Sequence, residues 1–483
     1  MFAMIPLITI GFTDLVAAFL FMYGLKRMSS PVTAPSGIFV AGLGMLAAIL
    51  VSFLHAFNVT GAAESHLMTN IILILIALAI GGGAAWWSGK KVALTAMPQM
   101  VALYNGMGGA AAGAIAGVEL FGDEAKGTTE LIVTLLGALI GSVSLSGSVI
   151  AWAKLDGVLK KPFRVKGQHL FSGFVLLVTL AIGSYLVFAV QDNGTPWLAV
   201  PHLIYLFFGL ALVFGVLMTL PIGGADMPVV ISIFNAFTGL AVGLEGYVLQ
   251  NPALIIAGMV VGAAGLLLTQ LMAKAMNRSI GNILFFDFGT AAHQKKTDIK
   301  GSLKPVEAGD AGIFMRYASK VIIVPGYGLA VAQGQQKLYE FVKLLQAAGV
   351  EVKFAVHPVA GRMPGQMDVL LAEAGVPYDL IFQLEEINDD FKTADVALVI
   401  GANDVVNPAA RTDKSSPIFG MPILNADQAK KVYVVKRGQG KGYAGIENEL
   451  FYGENCNMVY GDAAAVLVKM IEAVRGLGVS AAS

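Results

Sequence analysis

Nine long apolar stretches in the first 280 residues restrict what this chain can fold into. A helix needs about 20 apolar residues to cross about 30 Å of hydrocarbon at 1.5 Å per residue. Each stretch is therefore predicted to be a membrane-spanning helix. The predicted spans are Ile5–Leu25, Gly37–Phe57, Leu67–Trp87, Thr95–Val118, Glu130–Ala153, Gln168–Val190, Leu198–Leu220, Met227–Leu249 and Pro252–Met276.

The charged residues divide the chain into two parts that face different solvents. They make up 13% of the 483 residues, against about 25% in an ordinary soluble domain. Of them, 22 lie in residues 1–280 and 42 in residues 281–483. The first part is predicted to lie in a membrane and the second in water.

Net charge and cysteine content exclude several classes of protein. The formal net charge of +0 leaves no basic domain of the kind that binds nucleic acid. Cys456 is the single cysteine of the sequence. One cysteine cannot form an intrachain disulfide and is too few for a cysteine-based metal cluster. A reducing compartment is therefore expected for the polar part, and no metal site is predicted.

Lysine and arginine in the loops predict the orientation, because these residues stay on the cytoplasmic side. In a nine-span arrangement almost all of them fall on one side, which places the N-terminus outside and the C-terminal part in the cytoplasm. The first stretch is followed by basic residues, unlike a signal peptide, and is expected to remain in the mature protein. The cytoplasmic basic residues are Lys26, Arg27, Lys90, Lys91, Lys154, Lys160, Lys161, Arg164, Lys166, Lys274 and Arg278, against Lys126 outside.

Polar residues inside predicted spans are candidates for function, since burying them in lipid is costly. Asp14, Asn105, Asn235 and Gln270 lie well inside their spans. For Asn105 and Asn235, an interhelical hydrogen bond and a role in a proton or water path are both open. Interfacial solvation is the expected explanation for the groups nearer the span ends, which are His55, His202, Asp226 and Glu245.

After residue 280, short β-branched runs alternate with helical patterns. Residues 281–312 are predicted to be a tether, because periodicity is lost from about Phe288 and Gly, Lys, Asp and Thr dominate. Residues 313–483 are predicted to form a Rossmann-like α/β domain with a parallel sheet. Its predicted strands are Lys320–Val324, Val350–Val356, Asp379–Gln383, Val396–Ile400, Val432–Val435 and Met458–Tyr460.

The first strand leads directly into a glycine-containing turn, Gly326-Tyr327-Gly328, followed by a predicted helix to about Ala348 that Gly349 caps. Such glycines permit a tight turn and let the backbone approach a pyrophosphate at a helix N-terminus. Val331 stands where the dinucleotide fingerprint has its third glycine. The position between strand and helix favours nucleotide binding.

The charges near the other strand ends favour a cofactor with an additional phosphate. The second strand ends at His357-Pro358 with Arg362 close behind, whereas an NAD site has an acidic residue in this region. Lys436 and Arg437 follow the fifth strand and precede a glycine-rich loop. A solvated strand end is the alternative, but the missing acid favours phosphate binding by this pair.

Six sequence segments, which follow one another in the same order as in a known family, reveal a resemblance. With nine spans, a tether and one dinucleotide-type fold, the chain closely resembles the beta subunits of proton-translocating NAD(P) transhydrogenases over essentially its whole length. The segments are Gly223–Val230 (GGADMPVV), Lys274–Ser279 (KAMNRS), Pro325–Gln333 (PGYGLAVAQ), His357–Arg362 (HPVAGR), Glu386–Phe391 (EINDDF) and Ile400–Ala410 (IGANDVVNPAA).

The resemblance implies an enzyme that is active only together with its alpha subunit or subunits. Members transfer hydride between NAD(H) and NADP(H) while a proton crosses the membrane. The beta chain supplies the NADP(H) domain and part of the proton channel, and the alpha chain supplies the NAD(H) domain and the remaining spans. The family further implies a dimer of such protomers, a bacterial inner membrane, and NADPH production driven by inward proton flow.

The resemblance also implies residue roles. Gly326, Gly328 and Val331 are expected to line the pyrophosphate, and Lys436 with Arg437 to hold the 2′-phosphate. Tyr443 is expected on a loop that closes over the cofactor. Ala360, Arg362 and Asp404 are implied on the catalytic side, near the nicotinamide, although Asp404 could equally be structural together with Asn403 and Asn407. The remaining implied cofactor residues are Tyr327, Ala330, His357, Gly361, Gly401, Asn403, Gly442 and Ala444.

In the membrane, the resemblance places Asn105, Asp226 and Asn235 on the proton path. Some members have a histidine in the fourth span, where this chain has Asn105, and an amide cannot carry a proton. The proton carrier is then either a group of the alpha chain, which we favour, or another residue of this chain such as Asp14.

Two other classes of protein share part of this pattern. A channel or transporter gated by a cytosolic nucleotide-sensing domain would have the spans and the Gly326 turn, but not the Lys436–Arg437 pair with the missing acid. A membrane-anchored dehydrogenase for a soluble substrate would need a substrate domain and a general acid or base that the sequence does not indicate; His357 alone is weak evidence.

Overall fold

The computed structural model describes most of the chain, and two compact units divide it. One unit comprises residues 1–222 and 230–268, and the other comprises residues 223–229 and 269–483. The described residues are 7–30, 32–57, 66–122, 127–159, 167–191, 199–223, 226–285, 301–361, 363, 365–414, 416, 418–438, 440, 442 and 444–478.

Nine long helices occupy the first part of the described chain, and each overlaps one predicted span. Eight of them, the second to the ninth, are long and apolar enough to cross a membrane by length and composition. The prediction of about nine spans agrees with this architecture. The helices are α1 Leu7–Met28, α2 Ala34–Phe57, α3 Leu67–Lys91, α4 Met97–Phe121, α5 Thr128–Leu155, α6 Gln168–Gln191, α7 Ala199–Thr219, α8 Met227–Val248 and α9 Pro252–Ala275.

Glycines allow α8 and α9 to pack backbone against backbone. A Cβ on Gly258 would overlap the backbone of Gly243, and a Cβ on Gly239 would overlap Gly262. Close approach of this kind lets dispersion and weak hydrogen bonds hold helices together in lipid, where no hydrophobic effect does so. By contrast, the run from Gly81 to Gly83 on α3 faces open space among the described residues.

A partly buried lysine ties α5 to the C-terminal end of α7. The Nζ of Lys154 donates to the carbonyl oxygens of Thr219, Leu220 and Ile222 at 2.6, 2.6 and 2.7 Å. These carbonyls lie at and after the helix end, where backbone acceptors lack intrahelical donors and the helix dipole favours a cation. The basic residue at the end of the fifth span therefore also stabilises its neighbour.

Six parallel strands form one sheet in the second unit. All six predicted strands are present, with small shifts at their ends. They are β1 Lys320–Pro325, β2 Glu351–Val356, β3 Ile381–Gln383, β4 Val396–Ile400, β5 Lys431–Lys436 and β6 Cys456–Tyr460. Their order in the sheet is β3-β2-β1-β4-β5-β6.

The central strands are apolar on both faces, because each face of the sheet is covered. All five residues of β4 are buried, as in parallel sheets generally. The apolar sides of helices α13 (Gln335–Ala347) and α17 (Ala463–Gly476) cover one face, and segments around Leu384, Phe391 and Phe451 cover the other. The remaining helices are α10 Ile280–Phe285, α11 Ala308–Arg316, α12 Tyr327–Val331, α14 Gln366–Glu373, α15 Leu384–Ile387 and α16 Ala409–Thr412.

The helix predicted from the glycine turn to Ala348 is two helices, and that prediction was wrong. Gln333 adopts a left-handed φ of 52°, its N–H donates to the Ala330 carbonyl, and the Gly334 N–H donates to the Leu329 carbonyl. This pair of hydrogen bonds is a Schellman C-cap, which ends α12 after about one turn. Gly349, with a φ of 85°, caps α13 as predicted.

Part of the segment predicted as a tether packs on the sheet. Met458 N–H donates to the Lys304 carbonyl at 2.8 Å, and Val306 N–H donates to the Met458 carbonyl at 2.9 Å. Helix α11 then begins at Ala308, before the predicted boundary at 313. Residues 301–312 therefore add a short extended stretch and the start of a helix to this unit, while residues 286–300 lie outside the described residues.

A buried histidine fixes the turn after β2. His357 is 1% exposed; its Nδ1 accepts the Val359 N–H at 3.1 Å, and its Nε2 lies 2.8 Å from the Pro422 carbonyl oxygen. Because Nδ1 accepts, the ring proton is on Nε2, which donates to Pro422. Burial lowers the pKa of His357 to about 4, although the Pro422 hydrogen bond and the charge of Glu385 oppose this shift.

We expect acid to destabilise the sheet unit through His357. Its pKa rises from about 4 to 6.5 on unfolding, so the unfolded state binds more protons between these values. Stability should be constant above about pH 6.5 and fall by roughly 3 kcal/mol as the pH approaches 4. The stability of the sheet unit at each pH is measured by amide hydrogen exchange in β1 and β4 of the full chain, corrected for intrinsic exchange rates. His357→Asn should be less stable near neutral pH with a flatter profile; an equally steep profile would contradict the assignment.

The contact between α8 and α9 generates a second prediction. Gly258→Ala places a methyl group against the backbone of Gly243, which is less able to move aside than a flexible side chain. The substitution should lower the free energy of unfolding by about 2 kcal/mol. The measurement heats the full chain in detergent and records, by size-exclusion chromatography, the midpoint temperature at which the monodisperse peak is lost. Gly209→Ala on α7 is the control, since its Cβ would face open space among the described residues. Equal midpoints for both variants would show that the contact does not limit stability.

Candidate functional site

A cavity of the sheet unit opens at the carboxyl ends of the strands. Its volume is about 630 Å³, and its walls come from the segments that follow β1, β2, β4, β5 and β6. From β1 the chain order runs to β2 and β3 on one side and to β4, β5 and β6 on the other. Ligands of open parallel sheets bind at such a switch point, so the predicted nucleotide turn opens into the expected crevice.

Glycines bring the turn after β1 against the turn after β4. Gly326 N–H donates to the Ile400 carbonyl at 2.9 Å, and Gly328 N–H donates to the Gly401 carbonyl at 3.0 Å. A Cβ on Gly326 would overlap the backbone of Gly401 and Ala402. Gly401 itself has a φ of 74°, which favours glycine. Three glycines thus allow two backbone segments to form one floor of the cavity.

The two cations after β5 lie on the cavity wall. Lys436 is half-buried, and its Nζ lies 4.5 Å from the centroid of the Phe451 ring. Burial lowers the pKa of Lys436, an effect that the charge of Asp404 opposes. Arg437 is exposed beside it and lines the same wall. A phosphate here would meet one preorganised ammonium group and one planar guanidinium group.

Asp404 holds the glycine-rich loop at the cavity edge. Its Oδ2 accepts the Ala444 N–H at 2.9 Å, and a Cβ on Gly442 would overlap its carboxylate. Asp404 therefore bridges the turn after β4 and the loop after β5. Any change in the charge of this carboxylate would act directly on the loop.

Asparagines fix the next stretch of the same loop, so the structure supports their structural role. The Nδ2 of Asn448 donates to the Asn403 carbonyl at 2.9 Å, and the Nδ2 of Asn407 donates to the Glu447 carbonyl at 3.0 Å. Asn407 and Asn448 are 0% and 2% exposed. The sequence analysis missed Asn448, because a single asparagine between loop residues has no pattern.

The segment after β2 supplies the opposite wall through Val359, Ala360 and Gly361. Gly361 has a φ of 109°, and the buried Gln366 packs against it. His357 points behind this wall to Pro422 and does not line the cavity. Its part in the site is to position the segment.

Most of the predicted cofactor residues come together at this cavity. Those on its walls are Gly326, Tyr327, Gly328, Ala360, Gly361, Gly401, Asn403, Asp404, Lys436, Arg437 and Gly442, whereas Ala330, Val331, His357 and Ala444 are not among the lining residues. Arg362 and Tyr443 lie outside the described residues. The wall residues that sequence analysis missed are Val359, Ala402, Val405, Val435, Gly438, Gly440, Gly461 and Ala463. Most of them are close in the sequence to residues that were predicted, and this closeness was the signal that could have identified them.

Val331 differs from its predicted position for a local reason. It is the last residue of α12 and is 43% exposed, while Ala330 is buried. In the dinucleotide fingerprint the third glycine lets a continuous helix pack closely on the strand. Here the Schellman cap ends the helix at that point, so a branched side chain can face solvent.

In the membrane unit, Asn105 joins three helices. Its side-chain Nδ2 donates to Ser148 Oγ on α5 at 3.3 Å, and its backbone carbonyl oxygen accepts from Thr238 Oγ1 on α8 at 3.3 Å. Ser144 Oγ and Thr238 Oγ1 lie 2.6 Å apart. The interhelical hydrogen bond considered for Asn105 is therefore present, and it belongs to a row of polar groups that we call the hydroxyl row: Asn105, Ser144, Ser148 and Thr238.

The other polar candidates of the membrane part differ in burial. Asn235 is partly buried, Asp14 is 4% exposed, and Gln270 and His202 are exposed. The side chain of His55 lies outside the described ones. Interfacial solvation, expected for the groups near the span ends, is wrong for two of them: Glu245 is 0% exposed, and Asp226, 3% exposed, pairs with Arg278 at 2.6 Å.

Comparisons with known proteins cover both parts of the chain. A family model described as NAD(P) transhydrogenase beta subunit matches residues 10–473. The NAD(P) transhydrogenase subunit beta of Rhodospirillum rubrum is 45% identical over 472 residues, covering 95% of this chain and 98% of that protein, and the sequence from a designated strain of the species matches equally. Since these matches span the membrane helices and the sheet alike, the chain belongs to the NAD(P) transhydrogenase beta-subunit family.

Proposed function

We propose that this chain supplies the NADP(H) site and part of the proton path of a transhydrogenase. The reaction of the enzyme is hydride transfer between NAD(H) and NADP(H), coupled to proton translocation. The observation that carries the proposal is the position of Lys436 and Arg437, which lie at the end of β5 on the wall of the switch-point cavity. The family places an alpha subunit beside this chain.

Charge supports NADP(H) over NAD(H). An NAD site uses a carboxylate near the end of its second strand to bind the ribose 2′-hydroxyl. Residues 357–366, which follow β2, contain no Asp or Glu. Lys436 and Arg437 instead present positive charge, which suits a 2′-phosphate.

These positions give the cofactor a direction across the sheet. With the 2′-phosphate at Lys436 and Arg437, the adenosine end lies toward β5. The pyrophosphate then crosses the glycine turn at Gly326 and Gly328, and the nicotinamide reaches Ala360 beside β2. This is the reverse of an NAD site, in which the region after β2 holds the adenosine ribose.

The residues present fit such a cofactor. The cavity volume of about 630 Å³ lies within the range of cofactor sites, about 300–1,000 Å³. Glycines at 326, 328, 438 and 440 leave the backbone open to phosphate oxygens. When bound, the nicotinamide ring gives or accepts the hydride. The chain itself binds, orients and encloses the cofactor, with Asp404 holding the loop that carries Tyr443.

A second nicotinamide must come from the alpha subunit, because hydride transfer needs two rings at reacting distance. One dinucleotide-type sheet is described in this chain, in residues 320–460. We place the NAD(H) domain and the remaining spans on the alpha subunit, with two such protomers forming a dimer. The wall formed by Ala360 and Gly361 is the side from which the partner ring would approach, and Arg362 is the next residue in the sequence.

The membrane part is proposed to have its N-terminus outside and the sheet unit in the cytoplasm of a bacterium with an inner membrane. Basic residues occupy the last turns of α1, α3, α5 and α9, all ends that reach the same side in this orientation. We take residues 1–280 as the proton-translocating domain, 281–312 as the tether and 313–483 as the NADP(H) domain, with α11 extending that domain to Ala308.

Coupling is proposed to run between the proton path and the loop held by Asp404. Asn105, Asn235 and Asp226 form the path within this chain, with the two amides orienting water. Protonation in the path changes the affinity of the sheet unit for NADP(H), and reciprocity then requires the cofactor to change proton affinity. Asp404 lies between cofactor and loop, where a change of cofactor charge acts on its carboxylate.

We expect the Lys436–Arg437 pair to determine cofactor choice. The full chain in detergent, without the alpha subunit, should bind NADP⁺ about 100-fold more tightly than NAD⁺ by calorimetry. The double change Lys436→Ala, Arg437→Ala should remove most of this preference, whereas Lys469→Ala on the exposed side of α17 should not. Equal binding of both cofactors by the unsubstituted chain, or none, would instead favour a channel gated by a nucleotide-sensing domain.

Loop closure over the cofactor should depend on Asp404. Asp404→Ala removes the acceptor for the Ala444 N–H, and NADPH should then dissociate about 10-fold faster, as expected for a lost charge-assisted hydrogen bond. Asp404→Asn retains one acceptor oxygen, so its NADPH dissociation rate should lie between those of the unsubstituted chain and Asp404→Ala. Stopped-flow NADPH fluorescence measures the rate. Asp427→Ala, which removes the partner of Arg411 instead, is the control; unchanged release from Asp404→Ala would exclude the loop contact.

A further inference from the structure

A fully buried carboxyl group lies inside the membrane unit and has no assigned role. Glu245 is on α8, near its end at Val248, and is 0% exposed. An acidic side chain within a span is costly to bury, and such residues mark ion or proton pathways more often than they serve packing. The proposed proton path so far contains two amides, Asn105 and Asn235, and the carboxylate of Asp226, which precedes α8 and pairs with Arg278. It contains no residue within α4, α5 or α8 that exchanges a proton.

Helix α5 is shaped to admit this carboxyl group. A Cβ on Gly137 would overlap the carboxylate of Glu245, so only a glycine leaves room for it. The same helix pair contacts again at Ser144 and Thr238, and at Gly147 and the ring of Phe234. In each contact the residue number rises on one helix as it falls on the other, which shows two antiparallel helices in constant register.

This register aligns Glu245 with the hydroxyl row. Glu245 follows Thr238 by seven residues, and Gly137 precedes Ser144 by seven. Seven residues are close to two helical turns, so Glu245 and Thr238 face α5 on the same side, ~11 Å apart along the axis. A short chain of water molecules spans such a gap, and the hydroxyl groups can orient it.

The helices that bear the hydroxyl row carry few other charged residues. Helix α8 contains no Lys, Arg or His, and the one basic residue of α5 is Lys154, at its opposite end. The other acidic residues on the helices that bear the hydroxyl row are Glu119 at the end of α4 and Glu130 in the first turn of α5. Glu130 accepts the Gly127 N–H at 3.2 Å, as part of a helix cap.

We propose that Glu245 is a proton-carrying residue of this chain, placed between the outer surface and the hydroxyl row. In the proposed orientation the end of α8 lies toward the outside. The carboxylate of Glu245 takes a proton from water on that side and becomes a carboxyl group. It then releases the proton to water held by Thr238, Ser144 and Asn105, and returns to the carboxylate. This rests on the proposed function, and it adds a third candidate to the alpha chain and Asp14.

The test uses the complex of this chain with its alpha subunit, reconstituted into liposomes. Proton uptake during NADPH oxidation by an NAD⁺ analogue is followed with an entrapped pH dye. In the same samples, hydride exchange from NADH to the analogue through retained NADP(H) is measured, a reaction that needs no proton to cross. Activity in this exchange establishes that the complex is assembled and that the proposed function holds, independently of Glu245.

We expect Glu245→Gln to reduce proton uptake at least about 10-fold, the minimum for loss of a relay group, while exchange stays within about 2-fold. Glu245→Asp should restore uptake in part, since it keeps the exchanging group. Gly137→Ala, which moves a methyl group onto the carboxylate, should behave as Glu245→Gln does. The matched control, Glu130→Gln, keeps an acceptor for its helix cap and should pump normally.

Three results would overturn the proposal. Normal proton uptake by Glu245→Gln would show that the carboxyl group is not needed. Loss of uptake in Asp14→Asn together with normal uptake in Glu245→Gln would place the carrier on α1. Equal loss of uptake and exchange in Glu245→Gln, Glu245→Asp and Gly137→Ala would show that the site serves packing. If the unsubstituted complex itself lacks exchange, the proposed function fails first.

Discussion

The absence of water from the hydrocarbon is the constraint on which the membrane part depends. Every buried polar group must find its partner within the protein, or the fold loses several kcal/mol per group. Lys154 meets this requirement by binding carbonyls at the end of α7, and the hydroxyl row meets it by joining α4, α5 and α8. The same requirement makes Glu245 informative, since a fully buried carboxyl group is retained there at a cost.

The sheet unit solves a different problem, which is to bring dispersed loops to one edge. Parallel strands deliver the segments after β1, β2, β4 and β5 to the same crevice. Glycines at 326 and 401 let two of these segments touch, and Asp404 ties a third to them through Ala444. The cavity is therefore a property of strand order and close backbone contact, while Lys436 and Arg437 supply the positive charge on its wall.

Predictions based on periodicity succeeded, because burial leaves a regular trace in sequence. All nine predicted spans coincide with helices and all six predicted strands with strands, apart from shifts at their ends. The prediction of one helix after the glycine turn failed at Gln333, since a Schellman cap without glycine has no reliable signature. The same cap leaves Val331 outside the lining of the cavity. Asn448 and the inward position of Glu245 were missed because each depends on contacts between segments far apart in sequence.

The sequence by itself therefore determined the two solvents, the positions of the nine helices of the membrane part and of the six strands, the family, and most residues of the cavity. These follow from local pattern and from motifs that keep their order along the chain. Only the tertiary structure decided that His357 supports the wall instead of lining it, that Asp226 pairs with Arg278, and that Glu245 faces Gly137. The reason is physical: a side chain's role depends on what lies opposite it, and that neighbour is brought there by packing across the whole unit.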